Sequence, residues 1–300
     1  MADVLVVGAN GFIGSHLLAR VRAVGHDVRA LCRTQPMPGV PWARMDDVAT
    51  NDQLAAALAG VSTVIWAAGA STPASTARRP ADEVERNLVP LVRLLECTAN
   101  DHPLRMVYLS TGGAIYGDIE GLARENMVVE PKGYYSAGKA AAEAFLSAWS
   151  HLGAHEVTIL RPSNVYGPGQ PYRPGFGIIP TAFHAIRHEG SVVVRGDGEA
   201  VRDYLYIDDL ANLCERILAR PRTPGCHTFN ASSAQGTSLN ELLSVVEEVT
   251  GHEVARRAEP ATAFDVKRIV PDNHAATRAF GWHVATPLHE GVRRAWEAFR

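Results

Sequence analysis

The run VLVVGANGFIGSHLL, residues 4–18, decides how this chain is read. Val4–Val7 is a short apolar strand ending in glycine. From Phe12 to Val24 the apolar residues Phe12, Ile13, Leu17, Leu18, Val21 and Val24 recur at helical spacing. Gly8, Gly11 and Gly14 stand between and just inside these elements. A strand, a glycine turn and a helix in that order form a dinucleotide loop. Glycines allow the tight turn and let backbone approach a pyrophosphate, and the free N–H groups of the helix start then face the anion. The third glycine lets the helix pack near the strand. The loop residues Gly8, Asn10, Gly11, Phe12, Ile13 and Gly14 are therefore expected to bind a cofactor. The spacing is G-x-x-G-x-x-G, a departure from the common G-x-G-x-x-G. A glycine turn without a ligand is the plain alternative, and the strand–turn–helix context weighs against it.

The same alternation continues. Val28–Cys32, Thr63–Trp66, Met106–Leu109 and Val157–Leu160 are predicted strands. Leu54–Leu58, Val84–Cys97 and the Ala-rich Ser136–His151 are predicted helices. Short apolar strands separated by helices imply right-handed crossovers and a parallel sheet buried on both faces. The expected fold is α/β, a Rossmann-type doubly wound parallel sheet with a smaller α+β C-terminal substrate domain. The division expected is 1–165 for dinucleotide binding and 166–300 for substrate, with part of 203–230 returning to the sheet. In the second part Ile178–His188, Leu239–Thr250 and Leu288–Phe299 are predicted helices, and Ser191–Arg195 and Cys226–Asn230 predicted strands.

Composition excludes several classes. The 300 residues are 46% hydrophobic and 20% charged with a net charge of −3, so the chain can bury a core and carries no basic footprint for nucleic acid. Four cysteines without a Cys-x-x-Cys pair are too few for a disulfide scaffold, and no His-Glu-x-x-His spacing suggests a metal. No uncharged apolar run reaches the roughly 18–20 residues of a membrane helix. The N-terminal run lacks the charged leader of a secretory signal. These observations predict a cytoplasmic protein with no membrane, nucleic-acid or metal partner.

The second strand ends in Leu31-Cys32-Arg33, where a ribose-reading carboxylate would stand in an NAD enzyme. Arg33 suits a 2′-phosphate instead, so of NAD and NADP the sequence leans to NADP. A solvated surface arginine is the bland alternative.

Tyr135 and Lys139 are four apart at the start of a predicted helix, so both face one side. A phenol near pKa 10 is a poor base at neutral pH, and an adjacent ammonium favours the phenolate. A three-unit drop needs roughly 4 kcal/mol, feasible in a partly desolvated cleft. The phenol then removes a hydroxyl proton as hydride leaves, or returns it in the reverse direction.

With these motifs in place, the chain resembles the extended short-chain dehydrogenase/reductase family in its nucleotide-sugar epimerase/dehydratase branch. The carriers are Gly8–Gly14, Asp47-Val48, Ala67-Ala68-Gly69, Asn87, STGGAIYG (110–117), Tyr135–Lys139, RPSNVYGP (161–168) and GDGEAVRDYLYIDDL (196–210). The resemblance implies roles. Asp47 and Val48 would contact adenine, and Ala67, Ala68 and Gly69 would line the pyrophosphate and ribose with Asn87 nearby. Ser110 and Pro162 would join the cofactor contacts, together with Tyr135 and Lys139 themselves. Tyr135 would be the catalytic acid/base, and Lys139 would hold the nicotinamide ribose. Gly112, Gly113 and Asn164 would meet the sugar nucleotide, and Arg202 would clamp its diphosphate, although a loop ion pair with Asp203 or Asp197 is the alternative. Tyr172, Arg173 and Phe176 could stack on or clamp the base or equally be loop packing, and the stretch 263–270 is a further candidate for substrate contacts.

Two departures matter. The family places Ser or Thr third in the stretch Ser110-Thr111-Gly112-Gly113, where this chain has Gly112. Thr111 is the expected substitute hydroxyl in the catalytic set. The dehydratases carry Asp-Glu where this chain has Gly113-Ala114, which argues against loss of water. The leading reading is a nucleotide-sugar 4-epimerase acting through a 4-keto intermediate on a nucleotide-diphosphate sugar. The alternatives are an NADPH-dependent 4-keto-sugar reductase and a non-catalytic dinucleotide-binding regulator. Apolar residues on more than one face of the helices 84–97 and 136–150 (Leu88, Val89, Leu91, Val92, Leu94; Ala140, Ala144, Phe145, Trp149) suggest a homodimer, as the resemblance also implies.

Overall fold

A computed structural model describes residues 3–45, 51–98, 103–261 and 266–299. The chain forms two compact units: residues 1–110, 133–161 and 211–229 make the first, and residues 111–132, 162–210 and 230–300 the second.

The first unit is built on a seven-stranded sheet. Its strands are β1 (Val4–Val7), β2 (Val28–Cys32), β3 (Trp42–Arg44), β4 (Thr63–Trp66), β5 (Arg105–Leu109) and β6 (Glu156–Pro162), joined by Gly225–Ala231. The order is Gly225–Ala231, β6, β5, β4, β1, β2, β3. β1 pairs in parallel with β2 on one side and β4 on the other, and β4–β5, β5–β6 and β2–β3 are also parallel. This is the doubly wound sheet that the strand–helix alternation predicts. Every residue of β1, β4, β5 and β6 is buried, because helices cover both faces. Leu5, Val7, Val64, Trp66, Met106 and Ile159 form the core with Leu91, Leu94 and Leu146 from the flanking helices. The strand order reverses at β1, so the crevice beyond the C-terminal ends of β1 and β4 is the ligand position of such a sheet.

Two helices shape that crevice. Tyr134–Gly153 is one α-helix whose first turn holds Tyr135, and it starts two residues before the predicted Ser136. The uniform helix expected over Val84–Cys97 is instead a π-turn at Val84–Leu88 followed by an α-helix at Val89–Cys97. Pro90 explains the difference. It has no N–H to donate and its ring crowds the preceding turn, so the helix widens there and the Val89 N–H reaches back to Val84 O.

The second unit consists of short strands and longer helices. Asn164–Tyr166 pairs with Tyr204–Tyr206, Val192–Arg195 with Arg256–Glu259, and Val201–Arg202 lies between Thr237–Ser238 and Arg268–Ile269. Its helices include Ile178–Arg187, Leu239–Thr250 and Leu288–Ala298. Leu239–Thr250 opens with a capping box between Ser238 and Glu241 and closes at Gly251 in a left-handed cap.

Candidate active site

The glycine loop sits where β1 ends. Gly8 N–H donates to Leu31 O at 2.7 Å, which fixes the turn to β2. Gly8 has φ +84°, and a methyl group placed there would lie 2.7 Å from Cα and N of Ala68. One on Gly14 would lie 2.1 Å from Gly8 O. Both positions therefore require glycine: the first brings the loop against the backbone after β4, and the second seats the helix over the turn. Gly11 is the N-cap of the helix Phe12–Ala23 and offers no side chain to its first amides. A backbone cradle of this shape fits a dinucleotide pyrophosphate. Asn10 is exposed and donates to Thr34 Oγ1, and Phe12 and Ile13 are half-buried at the helix start. Arg33 is exposed at the end of β2. Asp47 and Val48 lie outside the described residues.

Beyond β4, Ala67 N–H donates to Val7 O at 2.9 Å, while Ala68 is half-buried and Gly69 exposed. Asn87, on the π-turn, accepts from Ala70 N–H at 2.8 Å through Oδ1. Its Nδ2 donates to Ser71 Oγ at 2.8 Å and to Glu83 Oε1 at 3.0 Å.

Tyr135 is half-buried, and Lys139 is one turn further along the same helix and buried. Lys139 Nζ donates to Leu109 O at 2.7 Å and lies 4.9 Å from the Tyr108 ring centroid. Burial lowers its pKa to about 8, opposed by the carboxylates of Glu83 and Glu143. Burial raises the Tyr108 phenol well above its usual value, with Tyr135, Glu143 and Glu83 adding to the shift. Ser110 Oγ is committed to Glu143 Oε1 at 2.5 Å, and Arg161 reaches the same carboxylate with Nε at 3.0 Å and Nη2 at 2.6 Å.

In the second unit Thr111 is buried, and Gly112 N–H donates to Pro162 O at 2.6 Å. A methyl group on Gly113 would sit 3.5 Å from Asn164 Oδ1, and Asn164 Nδ2 donates to Asp203 O at 2.9 Å. Arg202 donates from Nη1 to Val201 O and from Nη2 to Val266 O, at 2.9 and 2.7 Å. Asp203 accepts from Ser233 Oγ at 2.6 Å and from the N–H groups of Ser233 and Gln235. Tyr172 stacks on His184 at 3.8 Å, beside a cavity of about 410 Å³ that His188 and Phe299 also line.

The structure thus joins Gly8 to Ala68, and Asn87 to the loop after β4. It places Tyr135 and Lys139 on one helix, Gly112 against Pro162, and Gly113 against Asn164. Tyr172 pairs with His184 rather than with any predicted site residue. Sequence reasoning missed three buried charges. Glu143 carried a signal, since it lies four residues beyond Lys139 on the same helix face. Arg161 stood in a quoted motif without a role, and Glu83, inside the charged run Asp82–Arg86, carried no signal.

The profile of the NAD dependent epimerase/dehydratase family matches residues 4–232. The chain is 30% identical to the UDP-glucose 4-epimerase of Mycolicibacterium smegmatis, over 99% of this chain and 98% of that one. Two solved structures each match 99% of this chain and 98% of their own. One is the UDP-glucose 4-epimerase of Thermotoga maritima with UDP-glucose, at TM-score 0.91 and 26% identity. The other is that of Thermus thermophilus with NAD, at TM-score 0.90 and 29% identity. A glycine cradle at the switch point of a doubly wound sheet, a Tyr–Lys pair on one helix and a profile match over most of the chain agree: this protein belongs to the NAD-dependent epimerase/dehydratase family.

Proposed function

We propose that the chain is a nucleotide-sugar 4-epimerase of the extended short-chain dehydrogenase type, acting on a UDP-sugar. The observation that carries this reading is the buried Lys139 ammonium one helical turn from Tyr135, on the sheet whose glycine loop fits a dinucleotide. Full-length likeness to epimerases described with UDP-glucose and with NAD supports it.

Gly8, Gly11 and Gly14 hold the pyrophosphate, and Ala67–Gly69 and Asn87 shape the wall beside it. A bound nicotinamide would supply the hydride acceptor and donor for the sugar C4. Tyr135 removes the C4 hydroxyl proton and returns it to the C4 oxygen when hydride is delivered to the opposite face of the 4-keto sugar. Lys139, cationic at neutral pH, steadies the phenolate. Thr111 supplies the hydroxyl that Gly112 lacks. Asn164 contacts the sugar nucleotide and Arg202 its diphosphate, since a guanidinium suits phosphate geometry.

NAD is the dinucleotide described in the Thermus thermophilus relative. Arg33 is the one feature favouring NADP, because its exposed guanidinium stands at the end of β2, where a 2′-phosphate would lie. A titration with both dinucleotides decides: tighter NADP binding supports the Arg33 reading, and much tighter NAD binding removes it.

A homodimer through the helices of the first unit is also proposed. Phe145 (47%), Val84 (47%) and Leu152 (89%) are exposed there, while Leu91, Leu94 and Trp149 are buried in the unit's own core. A monomeric sedimentation coefficient would end this proposal.

Tyr135→Phe tests the chemistry. The variant is expected to bind coenzyme normally and to lose turnover by at least about 10²-fold. Retained turnover would overturn the assignment of the base.

A further inference from the structure

We propose that Glu83 is a positioning residue of this reaction, a buried carboxylate that links the loop after β4 to the helix of Tyr135 and Lys139 and sets the charge of the Lys139 ammonium. The inference rests on the reading of Tyr135 and Lys139 as the reacting pair.

The link can be followed atom by atom. Asn87 Oδ1 holds the Ala70 N–H at 2.8 Å, so the π-turn is tied to the loop that shapes the cofactor wall. Asn87 Nδ2 donates to Glu83 Oε1 at 3.0 Å, and Ser71 Oγ donates to Glu83 Oε2 at 2.5 Å. Both carboxylate oxygens are thereby oriented by neutral donors from the same wall. Glu83 is only 3% exposed, and its far side meets the catalytic helix. A methyl group on Gly138 would sit 2.6 Å from both Cγ and Oε1 of Glu83. Gly138 precedes Lys139 inside a 20-residue helix, where glycine is less favourable than alanine. The missing side chain is the space that the Glu83 carboxylate fills.

A buried negative charge held by neutral groups needs a cation nearby. Lys139, the residue after the Gly138 that Glu83 packs against, offers that charge through space. Its ammonium is buried with Leu109 O as acceptor and the Tyr108 ring at 4.9 Å, and Glu83 and Glu143 supply the opposing charge. Glu143 already accepts from both Arg161 and Ser110. On the turn of Glu83, Asp82 is engaged with Arg79 and Arg86. Among the described residues, Glu83 is therefore the carboxylate with no other cation bound to it in this cluster of Tyr108, Tyr135, Lys139, Glu143 and Arg161. An epimerase of this kind needs Lys139 charged at working pH to keep Tyr135 acidic, and burial opposes that charge. Glu83 restores it from the side of the cofactor wall, so the bound dinucleotide and the lysine charge share one support.

The sequence contains only three lysines, Lys132, Lys139 and Lys267, which makes a direct test practical. Protein labelled with 13C at lysine Cε gives three resonances, assigned with Lys132→Arg and Lys267→Arg. In the wild type the Lys139 resonance is expected to titrate near pH 8. In Glu83→Gln, which keeps the shape and removes the charge, the midpoint is expected about half a pH unit or more lower, and the alkaline limb of kcat/KM moves with it. An unmoved Lys139 midpoint in a folded Glu83→Gln overturns the inference, even if activity falls. Gly138→Ala is the second variant, in which the added methyl displaces the carboxylate. It is expected to lower the Lys139 midpoint in the same direction, and an unchanged midpoint there counts equally against the inference. Failure of the underlying reading looks different: turnover by Tyr135→Phe would remove the base assignment while leaving the Lys139 titration as it is.

Discussion

Arg161 and Glu143 form a bidentate pair inside the first unit, Nε to Oε1 at 3.0 Å and Nη2 to Oε2 at 2.6 Å, with both side chains buried. The pair ties β6 to the helix of Tyr135 and Lys139. Removing Arg161 leaves the Glu143 charge buried with only the Ser110 hydroxyl and the more distant Lys139 ammonium to offset it.

Arg161→Met is therefore expected to cost about 3–5 kcal/mol of stability, read from denaturant midpoints. The double variant Arg161→Met/Glu143→Leu is expected to recover much of that loss. A loss for the single variant below about 1 kcal/mol would mean the pair is not structurally coupled to the core.

Gly14→Ala places a methyl group 2.1 Å from Gly8 O, a distance that real contacts do not reach. The helix must move off the turn, and the cradle opens. Dinucleotide affinity is expected to fall at least about 100-fold, measured by calorimetry, because the helix amides no longer face the pyrophosphate. Unchanged affinity would contradict the placement of the cofactor.

Thr111→Ala tests the replacement for the missing hydroxyl at Gly112. Loss of a donor to the reacting oxygen is expected to lower kcat by two or three orders of magnitude, about 10²–10³, with little change in coenzyme binding. Intact turnover means that another group serves.

Lys139 also sets a pH dependence of stability. Its pKa falls from 10.5 to about 8 on folding because burial disfavours the charge. Between these values the unfolded chain binds more protons than the folded one, so this group's contribution to stability rises with pH through the window. Wild-type coenzyme-free protein is therefore expected to gain on Lys139→Met in denaturant midpoint from about pH 8 to pH 10. Parallel curves for the two proteins would show that Lys139 is not buried as a cation.

Most of the first unit was legible in the sequence because its short apolar strands alternate with helices and the glycine loop announces its own geometry, whereas the three-residue edge strand Trp42–Arg44 was not found. The second unit was less so. Val201–Arg202, Thr237–Ser238 and Arg268–Ile269 span two residues each, too few to show alternation. Tyr135 and Lys139 were found by spacing. The π-turn was hidden because Pro90 reads equally well as the first turn of a fresh helix. Glu83 was hidden for a deeper reason: a carboxylate four residues before Asn87 reads as solvated surface, and only the absent side chain of Gly138 makes room to bury it.

The proposed C4 epimerisation by Tyr135 and Lys139 recycles its dinucleotide. The most direct measurement incubates the purified protein with UDP-glucose and follows the sugar C4 configuration by proton NMR while recording absorbance at the nicotinamide band. A mixture of the two C4 epimers with no net consumption of coenzyme is expected. Stoichiometric oxidation of NADPH with a 4-keto sugar, and no epimer formed from UDP-glucose or a panel of other UDP-sugars, would contradict it.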